Sequence, residues 1–277
     1  MARFIVAPEW QGSKSSRAMA HITGAEAIAG DLPASACTEV DVPMEAGDAL
    51  GSPVLRLSAL LQVRRGILTA LAAGDGPAIV IGGDCGVTVP AIEHVAGPDL
   101  AVVWLDAHPD LRDESQGSFG GMALRAVIND GYDFSGEASA LSLPLHRAIA
   151  PGRIVLAGTR SMDDEESAYL GAGVHSVVMV DAASFSPESL VHAVKGTGAS
   201  RVYIHIDLDV IDPASMNAVP DAVPFGLDPA EVVAAIRAVR DVLPLAGATI
   251  AGFAPATPAE ALDDLPTILR LIGALAR

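Results

Sequence analysis

Two short acidic clusters carry the chemistry this sequence offers. Asp106-Ala107-His108-Pro109-Asp110 closes the apolar run AVVWLD, and His205-Ile206-Asp207-Leu208-Asp209 closes the run RVYIHIDLD. Alternate residues of an extended chain point the same way, so Asp106, His108 and Asp110 can converge on one point, and Asp207 and Asp209 are again in phase. Carboxylates crowded in this way repel one another and are costly to desolvate unless cations neutralise them. Oxygen-rich sites with a little imidazole suit Mn²⁺ or Mg²⁺. One D-x-D alone reads as a solvated turn; two such clusters together with a third motif point to metal.

That third motif is Gly82-Gly83-Asp84-Cys85, a tight strand-to-helix turn after the run AIVI. A helix N-terminus and a nearby metal would both lower a thiol's pKa. On position alone Cys85 reads instead as a small buried packing residue. His205 is in phase with Asp207 but deeper in its strand, and reads as a hydrogen-bonded core histidine rather than a ligand. Asp212 reads as the cap of the turn that leads the chain away. Arg160 reads as a brace at the sheet edge. His94, His146, His175 and His192 have no ligand spacing.

The clusters need elements to position them. Short β-branched-rich runs at 3–7, 38–42, 78–82, 100–106, 153–158, 174–180, 201–209 and 248–253 read as strands. Several are apolar throughout, as expected of parallel strands covered on both faces. Amphipathic stretches at 53–73, 87–95, 187–195, 229–243 and 265–276 read as helices, two of them opened by Ser186-Pro187 and Asp228-Pro229. The alternation predicts an α/β fold, three layers α/β/α around a mostly parallel sheet of about eight strands. No repeat, linker or composition break divides residues 1–277, so one domain is expected. In such sheets ligands sit outside the carboxyl ends of the strands, where both clusters lie. The polar, glycine-containing stretch 110–121 reads as an active-site loop.

Composition narrows the partners. A formal charge of -17 repels nucleic acid and anionic lipid. No apolar run approaches the ~20 residues of a membrane span, and the start MARFIVAPEW lacks a signal-peptide pattern, so the reading is cytoplasmic. Two cysteines, Cys37 and Cys85, suggest no disulfide framework.

The GGD turn, D-A-H-x-D, the Gly158-Thr159-Arg160 triplet and D-x-D-x-x-D-P occur together, in order, from about Gly82 to the C-terminus. In combination they resemble the ureohydrolase family of arginase, agmatinase, guanidinobutyrase and formimidoylglutamase. The resemblance implies an arginase-like fold and a metal-dependent hydrolase of linear amidine or guanidino C–N bonds. It further implies two Mn²⁺ ions bridged by Asp106 and Asp207, one also holding Cys85 and Asp110, the other His108 and Asp209. A water between the ions would supply the attacking hydroxide, with Asp110 orienting it and relaying its proton. Asp163 matches a family position that contacts the far end of the substrate, although Asp163, Asp164, Glu165 and Glu166 read equally as a solvated acidic face. By analogy a homo-oligomer is expected.

Three departures bear on substrate and metal. The family usually has histidine where this chain has Cys85, and a branch including Nω-hydroxyarginine amidinohydrolases looks similar here, with a Gly-Gly-Met like Gly120-Gly121-Met122. A thiolate makes Zn²⁺, Fe²⁺ or Co²⁺ credible beside Mn²⁺. Gly120 replaces a proton-shuttling histidine, so turnover is expected to be slow and a Gly120→His variant faster. Gly252 replaces a glutamate that grips the guanidinium, removing a charge-assisted bond of ~1.5–3 kcal/mol. The alternatives are hydrolysis of a formimino or amide C–N bond, or a metal-binding member with lost or altered catalysis.

Overall fold

The computed structural model describes residues 2–113, 117–128, 147–172 and 177–276. The strands are β1 (Arg3–Ala7), β2 (Cys37–Glu39), β3 (Ala78–Gly82), β4 (Leu100–Leu105), β5 (Ile154–Ala157), β6 (Val178–Val180), β7 (Arg201–Asp207) and β8 (Leu245–Ala251). They form one sheet in the order β2-β1-β3-β8-β7-β4-β5-β6, with every pairing parallel. The helices are α1 (Ala20–Gly30), α2 (Leu57–Ala72), α3 (Thr88–Val95), α4 (Ala123–Ile128), α5 (Asp164–Gly171), α6 (Pro187–Gly196), α7 (Pro229–Val242) and α8 (Pro258–Leu275).

Side chains that alternate along the strands feed two separate apolar layers. Ala101, Val103 and Leu105 of β4 pack with residues of α1, α6, α7 and α8. Leu100, Val102 and Trp104 pack with residues of α2, α3 and α4. The chain therefore makes three layers, α/β/α, with helices covering both faces of an eight-stranded parallel sheet. Because all strands run one way, their carboxyl ends share a single rim. No helix among the described residues is long and apolar enough to cross a membrane.

Several boundaries differ from the sequence expectation, each for a local reason. The stretch 53–56 is not helical, because Arg56 stands at φ 58, in the left-handed region, immediately before α2. At the other end, α8 begins at Pro258 rather than at 265, with the Thr257 hydroxyl accepting from Glu260 N, and it continues through Pro266. A proline there removes the donor for the carbonyl of Leu262, and Leu262 is exposed, so water can serve it. β7 stops at Asp207, where the chain tightens into a 3-10 turn over Leu208–Val210. Helices α1, α4 and α5 escaped the sequence pattern; α1 has neither a side-chain cap nor charged residues favouring its ends. The expected strand 174–180 is described only from residue 177, and β6 spans Val178–Val180.

Candidate metal centre

The register of the central strands brings the two acidic clusters side by side. Leu105 of β4 lies opposite Ile206 of β7, so Asp106 and Asp207 leave adjacent strands together. The remaining groups reach the same place through turns, which corrects the expectation of simple strand alternation. β4 ends at Leu105, His108 N donates to Asp106 Oδ1 at 2.7 Å, and Asp110 stands at φ 51. That left-handed backbone after Pro109 swings the Asp110 side chain inward. Asp209 rides on the 3-10 turn, its N–H donating to Asp207 Oδ1 at 3.0 Å while its own Oδ1 accepts from Ala107 N at 3.1 Å. Arg160 braces this turn from behind, donating to the carbonyls of Asp209 and Val223 at 2.7 Å each and of Val210 at 3.2 Å.

Two groups of potential ligand atoms result, each with its atoms within 4.8 Å of one another: Cys85, Asp106, Asp110 and His205, and Asp106, His108 and Asp209. Asp207 adjoins the first, its Oδ2 3.0 Å from Cys85 Sγ. In the second, His108 Nδ1 lies 3.0 Å from Asp209 Oδ2 and 3.6 Å from Asp106 Oδ1. All six candidate ligands from the sequence thus meet at one rim.

Electrostatics follow from that crowding. Burial, then the neighbouring charge of Asp106, pushes the Asp110 carboxyl well above its usual range, and burial with Asp209 and Asp106 does the same to Asp207. Burial, then Asp106, holds Asp209 up to about 6. Burial alone would raise Asp106, but contacts with His108 and His205 bring it below the normal carboxylate range. Burial opposes charge on His108, yet Asp106 and Asp209 override it and push the imidazole up to about 12. Cys85 corrects an expectation: although it starts a helical turn, burial and then Asp110, Asp207 and Asp106 push its thiol upward. Only a cation among these groups would reverse that.

The donor set fits divalent metal. Asp110 Oδ2 and His205 Nε2 are buried without a hydrogen-bond partner, a costly state that a bound ion would relieve. A cavity of about 390 Å³ opens onto the groups and is lined by Cys85, His108, Asp110, Asp207, Asp209 and Gly252, among others.

Two glycines explain the departures. Gly252 stands at φ +84, where L side chains are strained, and a Cβ there would fall 2.1 Å from Asp207 Oδ1, so a longer side chain would have to displace that carboxylate. At Gly120 a Cβ would sit 3.3 Å from Asp84 Cγ, a tight but less forbidding contact. Asp163 is not among the residues lining the cavity. One of its oxygens caps α5 through Glu166 N at 2.9 Å and the other accepts from Arg112 Nε at 2.9 Å. Arg112 and Glu166 line the wall in its place. Asp212 caps its turn, accepting from Ala214 N and Gly226 N at 2.9 Å each. His94 and His192 are exposed, and His146 and His175 lie outside the described residues.

Some lining residues gave no sequence signal. Ser13, Lys14 and Ser15 form part of the rim, and Lys14 pairs with Asp221 at 3.4 Å. His21 is buried, its Nδ1 3.3 Å from the Phe253 carbonyl, and burial lowers its pKa to about 4. Glu9 lies buried behind Asp84; burial and the charge of Asp84 hold its carboxyl well up.

Comparison with known proteins gives concordant findings. The description of the arginase family matches residues 11–263. An Nω-hydroxy-L-arginine amidinohydrolase of Streptomyces lavendulae is 30% identical over 210 residues, which are 72% of this chain and 69% of that protein. A proclavaminate amidinohydrolase of Streptomyces clavuligerus is 28% identical over 211 residues, 73% of this chain and 62% of its own length. Among solved structures, an arginase of Entamoeba histolytica in complex with L-ornithine superposes with a TM-score of 0.81 at 18% identity, covering 100% of this chain and 99% of that one.

Proposed function

The chain belongs to the arginase family, and on that premise we propose that it is a metal-dependent hydrolase of a linear amidine or guanidino C–N bond. The observation that carries this is the convergence of buried donors with unpartnered atoms beside one open cavity. In this reading Asp106, Asp207, Cys85, Asp110, His108 and Asp209 would hold two divalent cations. Bound there, the cations would acidify a water enough to supply hydroxide near neutral pH.

The chain's own residues do the rest. Asp110, fixed by its turned backbone and carrying one free oxygen, orients the attacking water and accepts its proton. With no side chain at Gly120, that proton reaches the leaving nitrogen from Asp110 or through water. Asp163 acts through Arg112, which it holds against the cavity wall. The packing of Gly252 against Asp207 leaves no place for a carboxylate that would grip a guanidinium. A less basic amidine, such as an N-hydroxyguanidine or a formimino group, loses less by that absence, and the similarity to an Nω-hydroxy-L-arginine amidinohydrolase supports the same preference. Mn²⁺ suits the carboxylates, and Cys85 makes Zn²⁺, Fe²⁺ or Co²⁺ credible.

The test is metal analysis of the purified protein, then assay of guanidines, N-hydroxyguanidines and formimino compounds with each metal. Two equivalents of metal and turnover of at least one weakly basic amidine are expected. Protein that binds no divalent metal, or binds it and hydrolyses none of these, would refute the reading.

A further inference from the structure

His205 is fully buried on β7, and its ring stacks on Trp104 with centroids 3.8 Å apart. Its Nδ1 lies 2.8 Å from the Thr88 hydroxyl, at the start of α3. That contact and the stacked indole fix the ring, so Nε2 has one direction in which to point. There it has no hydrogen-bond partner. The nearest acceptor atom, Asp106 Oδ2, is 3.7 Å away, too far for a hydrogen bond. Yet the ring offers a nitrogen within 4.8 Å of ligand atoms of Cys85, Asp106 and Asp110, and Nε2 is the one on the Asp106 side.

A core histidine that merely fills space would satisfy both ring nitrogens or expose one to water. This one has its outer nitrogen engaged and its inner nitrogen facing a thiol and two carboxylates. Such an arrangement is how proteins prepare an imidazole for a metal: a second partner at the far nitrogen fixes the tautomer and aims the lone pair. With Thr88 Oγ1 engaging Nδ1 at 2.8 Å, Nε2 is the ring nitrogen left to face the donor group.

We propose that His205 Nε2 is a direct ligand of the cation held by Cys85, Asp106 and Asp110, so that this site combines sulfur, nitrogen and oxygen donors. The inference rests on the metal-hydrolase reading above and adds to it. Its consequence is metal choice. A site with one thiolate and one imidazole favours Zn²⁺, Co²⁺ or Fe²⁺ over Mn²⁺, whereas the neighbouring group of two carboxylates and His108 keeps a preference closer to Mn²⁺. The chain is therefore expected to take two different metals.

The experiment loads the full-length, ¹⁵N-histidine-labelled protein with ¹¹³Cd²⁺ and reads cadmium–nitrogen couplings by NMR. Two cadmium resonances are expected: one shifted by thiolate and coupled to His205 Nε2, the other coupled to His108. His205→Gln should abolish the first coupling and weaken Zn²⁺ at one of the two sites by at least about tenfold in chelator competition, leaving the other site unchanged. A thiolate-shifted resonance without His205 coupling, in protein where His108 does couple, would overturn this proposal alone. Failure to retain any cadmium would overturn it together with the hydrolase reading. The wild-type couplings decide the matter even where the variant folds poorly.

Discussion

The two donor groups share Asp106 but handle the same crowding of charge in opposite ways. The outer one contains its own counter-charge: His108, pushed up to about 12, stands between Asp106 and Asp209 as an imidazolium. Without metal it is already a closed ion pair at the cavity wall. The inner one, with all four members buried, gathers a thiol and two carboxylates, and burial with mutual repulsion drives Cys85 and Asp110 toward their protonated forms. An arriving cation must displace a proton from imidazole in the outer group, and from a thiol and a carboxyl in the inner one, where the thiolate so formed is the softer donor that favours Zn²⁺. One fold can thus place a tightly held ion beside a more exchangeable one.

The strongest way to break this contrast is to remove what the groups have in common. Asp106→Asn should abolish stoichiometric binding of both metals and lower turnover on the order of 10³-fold or more, measured by metal analysis and assay. Retention of either ion at full affinity would show that Asp106 is not shared. Next, Cys85→Ser should weaken the tighter of two Zn²⁺ equivalents by at least about tenfold, while His108→Ala should weaken only the looser one. Calorimetric titration distinguishes the two, and a reversal of that order would invert the comparison.

The backbone behind the groups can be tested through Gly252. Gly252→Ala places a methyl against Asp207 at a positive φ, and a loss of about 1–3 kcal/mol is expected in urea unfolding. A neutral result would mean that Asp207 has room to move.

A smaller, pH-dependent effect concerns the stripped protein. Asp209 and Asp84 are held up to about 6, in both cases chiefly by burial. A carboxyl that titrates higher in the folded than in the unfolded chain contributes stability at low pH that is lost as pH rises from about 4 through 6. Metal-free protein should therefore melt higher at pH 5 than at pH 7. Loaded protein should show the reverse, since protons compete with cations for the same atoms. Identical pH profiles for the two forms would argue against a role for Asp209 in holding metal.

Much of this architecture was legible in advance, and the exceptions are instructive. Apolar runs such as LAVVWL and RVYIHID announce buried parallel strands because both their faces are covered, and Pro187 and Pro229 announce helix starts. Five of the six proposed ligands stand out by motif spacing and Cys85 enters only through the family resemblance, whereas the path to them could not be read. Asp110 arrives through a left-handed residue, and Asp209 on a 3-10 turn; neither conformation follows from alternation. Depth in a strand reads His205 as a core residue; what motivates the ligand proposal is an unpartnered Nε2 on a ring that adjoins Cys85, Asp106 and Asp110. The roles of Glu9 and His21 depend on contacts with Asp84 and Phe253, distances in sequence that no local pattern spans. For Gly252 the family resemblance implies a missing glutamate; the fold adds that a side chain there would meet Asp207.

The pairing of Leu105 with Ile206 has a consequence for how this chain can change. The helices and the loops at the opposite rim can grow or shrink without disturbing the chemistry, because they only return the chain to the next strand, unlike the turns that carry Cys85, His108, Asp110 and Asp209. Adding or deleting a single residue within β4 or β7 would instead turn an aspartate from the rim into the oily layer beneath a helix. Insertions should therefore be tolerated least in the ligand-bearing turns and in the thirteen or so residues of these two strands, whose length acts as the gauge that keeps two like charges in step.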